Sequence, residues 1–116
     1  MKAVYVAGAY SAPDVMNMLA NMDRGIELAT ECLEAGFAPF APWLDFLFCI
    51  RGRRFTKQQL YAYSLEWLRR ADAVIVVEEG WELSRGTLVE IEEARRLGNP
   101  VFWSLAELRT WARGNA

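Results

Sequence analysis

The segment from Glu78 to Phe102 contains six glutamates, and helical spacing sets one of them apart. An apolar stripe recurs along this segment at Leu83, Thr87, Ile91, Ala94 and Leu97. Glu90 lies on the same stripe, three residues after Thr87 and four before Ala94. A carboxylate on a buried helix face must be paired, neutralised or used in chemistry, because removing its charge from water is costly. The spacing therefore makes Glu90 the candidate functional carboxylate, while a structural role stays open.

The charged residues around Glu90 follow a different pattern. Glu92, Glu93, Arg95 and Arg96 point to the opposite side of the same helix. Acidic and basic residues three and four positions apart pair on the surface of a helix. These four residues are predicted to form an ordinary solvated face.

The turn before this helix carries Ser84 and Gly86. A glycine lets a ligand approach the backbone, and a hydroxyl at a helix N-terminus can donate to a phosphate. Ser84 can equally serve as a plain N-cap. The turn lacks the glycines of a dinucleotide fingerprint and has no Walker lysine, so NAD and ATP are disfavoured and no cofactor is expected.

Composition excludes several classes of function. The chain has no histidine, and Cys32 and Cys49 lack metal-ligand or redox spacing, so no metal is expected. A net charge of −2 gives no case for a nucleic-acid polymer, although Arg51, Arg53 and Arg54 form a basic cluster that suits a solvated loop or a phosphate. With no signal peptide and no membrane-spanning apolar run, we expect a cytoplasmic protein and no membrane partner.

The elements that must position these residues alternate along a chain of 116 residues, which predicts a single domain over residues 1–116. Predicted strands lie at Ala3–Gly8, Phe37–Trp43 (running into a proline-marked loop), Asp72–Val77 and Pro100–Trp103. Predicted helices run from Val15 to Leu33, capped by Ser11 or Asp14, from Lys57 to Ala71, from Thr87 to Leu97 and from Leu105 to Arg113. The alternation predicts an α/β fold: an open parallel sheet of four to five strands with helices on both faces, flavodoxin- or Rossmann-like.

Ligands of such sheets bind beyond the carboxyl ends of the strands, near the point where the strand order reverses. Two loops meet that condition, the "GAYS" loop after the first strand and the "EEGWELSRG" loop after the third. We expect these loops to be neighbours. The segment from Leu44 to Thr56 is predicted to be a loop or lid.

These residues resemble the nucleoside 2-deoxyribosyltransferase-like superfamily, which includes the deoxynucleoside 5′-monophosphate N-glycosidases. The resemblance runs from Tyr5 to about Val101 and rests on "VYVAGAYS", on "EWLRRADAVIVV", and on "GWELSRGTLVEIEEA" followed by "GNPV". It implies cleavage or transfer at the N-glycosidic bond of a (deoxy)nucleoside or its 5′-monophosphate. Such a reaction can proceed through a covalent glycosyl-enzyme on a carboxylate.

The resemblance also implies roles for individual residues. Glu90 matches the nucleophile, Tyr5 matches a tyrosine that hydrogen-bonds it, and Ser84 matches a serine that holds the 5′-phosphate. Gly8, Tyr10 and Ser11 fall in the loop that lines the sugar and base. Trp81 and Trp43 are candidates for stacking on the base, with core packing as the alternative.

Ser64 departs from the pattern, because the superfamily usually has an aspartate at this position. A serine cannot replace a carboxylic acid as a proton donor near neutral pH. Asp45 and Glu66 are the nearest acids that could substitute. Ser64 shares the inward stripe of its helix with Trp67, so its side chain should face the core or the cleft.

Two alternatives stay open. One is an enzyme like the cytokinin-activating phosphoribohydrolases, whose motif also has a "GT–E" core, although the paired glycines before it are missing here. The other is a non-catalytic nucleotide-binding or structural protein on the same fold, which Ser64 favours. A homodimer or higher homo-oligomer is expected, because the segment from Trp43 to Phe55 is more apolar than so small a core can bury.

Overall fold

The computed structural model describes residues 1–43 and 47–114, except for the side chain of Cys49. Within these residues the strands are β1 (Ala3–Ala7), β2 (Ala38–Phe40), β3 (Ala73–Val76) and β4 (Val101–Phe102). All are parallel, in the order β2-β1-β3-β4, with β2 and β4 at the edges. The order reverses between β1 and β3, which is the switch point of a flavodoxin-like sheet. The predicted α/β fold is confirmed.

The described helices are α1 (Val15–Glu34), α2 (Lys57–Arg70), α3 (Arg85–Leu97) and α4 (Leu105–Gly114), with short 3-10 helices at Cys49–Arg51 and Trp81–Leu83. Cys32 of α1 and Leu108 of α4 are buried in the core on one face of the sheet. Leu68 of α2 and Ile91 of α3 are buried on the other face. Helices therefore cover both faces, as predicted. In the described parts of the chain, no helix has the length and apolar character to cross a membrane.

Strand β1 supplies side chains to both cores. Val4 and Val6 point to the face covered by α1 and α4, whereas Tyr5 and Ala7 point to the face covered by α2 and α3. Because both faces are buried, the strand reads as a continuous apolar run. The one hydroxyl in that run, on Tyr5, is thereby directed into the α2–α3 face.

Local side-chain contacts fix where the helices begin. The Asp14 carboxylate accepts a hydrogen bond from the backbone N–H of Asn17 at 2.8 Å, so Asp14 rather than Ser11 caps α1. Thr56 and Gln59 form a reciprocal capping box at the start of α2. These caps fix the residues at which α1 and α2 begin.

Three positions of the predicted helix stripes are wrong. Leu83 is 93% exposed, because α3 begins at Arg85 and Leu83 lies in the 3-10 turn before it. Leu97, at the end of α3, is 42% exposed. Trp67 is 44% exposed, because it lies over the edge strand β2, where it stacks on Phe40 with ring centroids 5.2 Å apart. None of these side chains is enclosed by the core.

Helix α1 carries more apolar surface than the sheet covers. Gly25 and Cys32 are its buried residues. The apolar side chains that stay exposed along it are Val15, Met16, Leu19, Ile26 and Leu33. Burial raises the pKa of the Cys32 thiol to about 11, and the nearby Glu31 carboxylate adds to that rise.

Candidate active site

A cleft of about 690 Å³ lies between the loop after β1, the first turns of α2 and the turn that precedes α3. It contains the predicted site residues Gly8, Tyr10, Ser11, Ser64, Ser84, Gly86 and Glu90. The two loops expected to be neighbours do meet, since a Cβ added at Gly80 would lie 3.6 Å from the Ala9 side chain. The cleft at the carboxyl end of the sheet is therefore large enough to hold a small-molecule ligand.

Glu90 lies on the second turn of α3 and is only 7% exposed. Its carboxylate accepts a hydrogen bond from the hydroxyl of Tyr5, which is fully buried in β1. The bond joins the central strand to the helix above it and fixes the orientation of the carboxylate. Because Glu90 also lines the cleft, the pair presents an oriented carboxylate to a ligand.

Ser64 is 6% exposed and lines the cleft, so its position on the inward side of α2 is confirmed. Glu66 cannot take its place, because its carboxylate pairs with Arg70 at 2.9 Å on the exposed side of the helix. Asp45 lies outside the described residues. Glu90 is thus the one carboxylate among the described residues that line the cleft.

Ser84 caps α3. Its Oγ accepts hydrogen bonds from the backbone N–H of Thr87 at 3.2 Å and from the Thr87 hydroxyl at 2.8 Å. The capping role that the sequence allowed is present, and Ser84 keeps a hydroxyl proton that can be donated to a ligand. Arg85 and Lys57 also line the cleft and add positive charge near this helix N-terminus.

The glycines of the cleft make room for neighbouring side chains. A Cβ at Gly86 would come within 2.7 Å of the Tyr61 hydroxyl. A Cβ at Gly8 would come within 2.7 Å of a Val77 methyl group, so this glycine allows the ends of β1 and β3 to pack closely. Gly8 therefore has a packing role whether or not a ligand contacts it.

The structure does not bring Trp81 into this cleft. Its ring packs against Trp103 with centroids 4.7 Å apart and lines a separate cavity of about 400 Å³ beside α3. The 3-10 turn at Trp81–Leu83 directs the ring toward β4 rather than toward Glu90. Trp43 is 3% exposed and belongs to the core, where its ring meets Tyr10 edge-on at 6.4 Å. Core packing accounts for Trp43, whereas Trp81 packs against the edge of the core and lines its own cavity.

The charged face of α3 behaves largely as predicted. Glu93 accepts hydrogen bonds from Arg96, at 2.6 Å, and from Arg69 of α2, at 3.5 Å. The hydrogen bond from Arg96 is the main reason why the pKa of Glu93 is lowered. These groups join α2 to α3 at the surface and take no part in the cleft.

The prediction missed several residues of the cleft wall, among them Lys57 and Tyr61 of α2. Their signal was present in the sequence, because Lys57, Tyr61 and Ser64 follow one another at i, i+4 and i+7 on one face of α2. Among the described residues, no group of three or more potential metal ligands occurs.

A buried carboxylate in a cleft at the switch point of an open parallel sheet defines a doubly wound α/β domain with a candidate active site. The chain belongs to the family described as a domain of unknown function, DUF7768, whose model matches residues 2–104. The matched residues include every described strand and helices α1 to α3. A comparison with curated proteins gave no match.

Proposed function

We propose that this protein cleaves or transfers at the N-glycosidic bond of a (deoxy)nucleoside or its 5′-monophosphate, with Glu90 as the nucleophile. The observation that carries the proposal is the buried Tyr5–Glu90 hydrogen bond beside a cleft of about 690 Å³. The resemblance to the nucleoside 2-deoxyribosyltransferase-like superfamily supports the same pair, because its nucleophile and tyrosine match these two positions.

The chemistry requires a carboxylate held on one face of the sugar. Breaking the bond to the base develops positive charge at the anomeric carbon, and the Glu90 carboxylate would trap that carbon as a glycosyl ester. Water, or a second base, then releases the sugar from Glu90. Tyr5 would hold the carboxylate in place throughout, since its own ring is locked in the core.

The charges around the cleft support a 5′-monophosphate in preference to a free nucleoside. Lys57 and Arg85 supply two positive charges, against one carboxylate from Glu90 among the described lining residues. The first turn of α3 adds backbone N–H groups and the Ser84 hydroxyl, which together favour an anion.

The proposal includes a cytoplasmic enzyme that acts as a homodimer or higher homo-oligomer. Exposed apolar side chains on α1 and on the segment before α2 support self-association, the latter being Leu47, Phe48, Ile50 and Phe55. Light scattering at micromolar concentration checks this part, and a monomeric mass would contradict it.

The decisive experiment is release of free base, measured by chromatography on a panel of nucleosides and 5′-monophosphates. Glu90→Gln should abolish release, by several orders of magnitude in rate, while leaving fold and nucleotide binding intact. Glu92→Gln is the matched control, because Glu92 lies on the exposed side of the same helix. Substantial activity in Glu90→Gln would remove the proposed mechanism.

A second candidate function follows from Ser64, which leaves the cleft without a second carboxylate among its described lining residues. In this second function the domain binds a nucleotide without cleaving its N-glycosidic bond. Calorimetric binding of a 5′-monophosphate by wild-type protein, with no base released over hours, would favour this function. Preferential cleavage of ribonucleotides would instead favour a phosphoribohydrolase.

A further inference from the structure

Helix α2 forms one wall of the cleft and carries the phenol of Tyr61 near Ser64, the position at which the superfamily usually has an aspartate. Tyr61 lies three residues before Ser64 on the same helix face and lines the cleft. Its hydroxyl sits against Gly86, at the start of α3, where a Cβ would be 2.7 Å away. Tyr61 is 39% exposed, and among the described residues its hydroxyl makes no hydrogen bond, so it is available to a ligand.

The proposed reaction needs a proton at the departing base. When the C–N bond breaks, its electron pair goes to a ring nitrogen of the base, and protonation there lowers the barrier. Glu90 is occupied as the nucleophile, Glu66 faces away from the cleft, and the alcohol of Ser64 is too weak an acid. Among the described residues, the donor must therefore come from another group on the cleft wall.

Tyr61 meets the geometric requirement. Its hydroxyl lies against Gly86, and Gly86 shares one face of α3 with Glu90, which follows one turn later. The phenol therefore faces the same part of the cleft as the Glu90 carboxylate. Lys57, one turn farther toward the start of α2, places a positive charge on the same wall.

We propose that Tyr61 is the proton donor to the leaving base, an assignment that rests on the proposed function. Glu90 bonds to the anomeric carbon as the C–N bond breaks, and the Tyr61 proton moves to the base nitrogen. Water then attacks the glycosyl ester, the bond to Glu90 breaks, and one proton of that water returns to Tyr61. The sum is nucleotide plus water giving sugar phosphate plus base.

Tyr61→Phe tests this assignment by its dependence on the leaving group. Its rate on purine deoxynucleoside 5′-monophosphates should fall roughly 10²–10⁴-fold, the usual contribution of a general acid. The second substrate is 4-nitrophenyl 2-deoxyriboside 5′-phosphate, whose leaving group, 4-nitrophenolate, departs without being protonated. On this substrate the rate of Tyr61→Phe should fall less than about tenfold. Tyr63→Phe is the matched control: Tyr63 is on the same helix but packs against Phe40 and Phe48, outside the cleft.

Each result decides the assignment. A loss that is equal on both substrates, or that Tyr63→Phe reproduces, would show a structural effect and overturn it. Full activity of Tyr61→Phe together with an inactive Glu90→Gln would refute the role of Tyr61 and leave the proposed function standing. Absence of base release by wild-type protein on every substrate would overturn both.

Discussion

Gly25→Ala tests the packing that holds the cleft loop in place. Gly25 lies in the middle of α1 and is buried against the ring of Trp43. A Cβ added there would lie 2.0 Å from Cη2, 2.2 Å from Cζ2 and 2.6 Å from Cζ3 of that ring. Trp43 in turn contacts Tyr10, which lines the cleft. A change inside α1 is therefore expected to reach the candidate active site.

The net effect is a balance between two opposed terms. Alanine in a helix interior is favoured over glycine by about 1 kcal/mol. Inserting a methyl group into a filled core costs about 1–3 kcal/mol, and contacts this short belong at the upper end of that range. We expect a net loss of about 2 kcal/mol in the free energy of unfolding, or roughly 6–10 °C in melting temperature for a domain of this size.

The assay is thermal and urea unfolding of Gly25→Ala, Trp43→Phe and the double variant. Trp43→Phe removes the ring atoms that the new methyl group would meet. It also removes the Nε1 group of Trp43, which is buried without a hydrogen-bond partner among the described residues. The double variant should therefore be less destabilised than the sum of the two single changes. A Gly25→Ala protein as stable as wild type, or strictly additive changes, would refute the packing described here.

Three further predictions concern the cleft and the core. Ser64→Asp should increase base release, because two carboxyl groups close together share one proton and one of them can then act as an acid; a lower melting temperature without a gain in activity would contradict this. Ser84→Ala should narrow the preference for 5′-monophosphates over nucleosides by about 1–3 kcal/mol in a titration. Ser84→Gly should narrow it equally while losing less stability, since glycine retains most of the N-cap; an unchanged preference in both variants would leave Ser84 as a cap alone. Cys32, whose pKa is raised from 9.0 to about 11, should react with iodoacetamide at pH 8 roughly 100-fold more slowly in folded than in unfolded protein, measured by peptide mapping. The stability contributed by its protonated thiol should be lost as the pH rises from about 9 through about 11, and equal labelling rates in the two states would contradict the burial.

The sequence predicted most of the fold because its signals were local and repeated. Strands buried on both faces read as continuous apolar runs, as at Ala73–Val76, and the helix at Val15–Glu34 has an acidic cap and a glycine just beyond its end. Glu90 was found because its charge interrupts an apolar stripe. The same reasoning placed Ser64 on the inward side of its helix.

The parts that the sequence did not predict depend on how the side chains and helices are oriented in the folded protein. Trp81 lies in a short 3-10 turn. Such a turn has no repeating sequence pattern from which the direction of its side chains could be predicted. Tyr61 was missed because a helix face that lines an open cleft is neither apolar nor fully solvated. The apolar stripe expected on α2 therefore did not include Tyr61. The available signal was the helix face that Tyr61 shares with Lys57 and Ser64, and the packing of α2 beside α3 shows that this face belongs to the site.

The two edges of the sheet also limit how the protein can associate with other chains. Edge strand β2 has three residues and contains Pro39, while edge strand β4 has two residues and directly follows Pro100. Proline has no N–H to offer to a further strand, and so short an edge presents few free backbone groups. The domain is thereby protected against edge-to-edge aggregation. Any assembly it forms should be made through the side chains of its helices, where single substitutions can weaken it without disturbing the sheet.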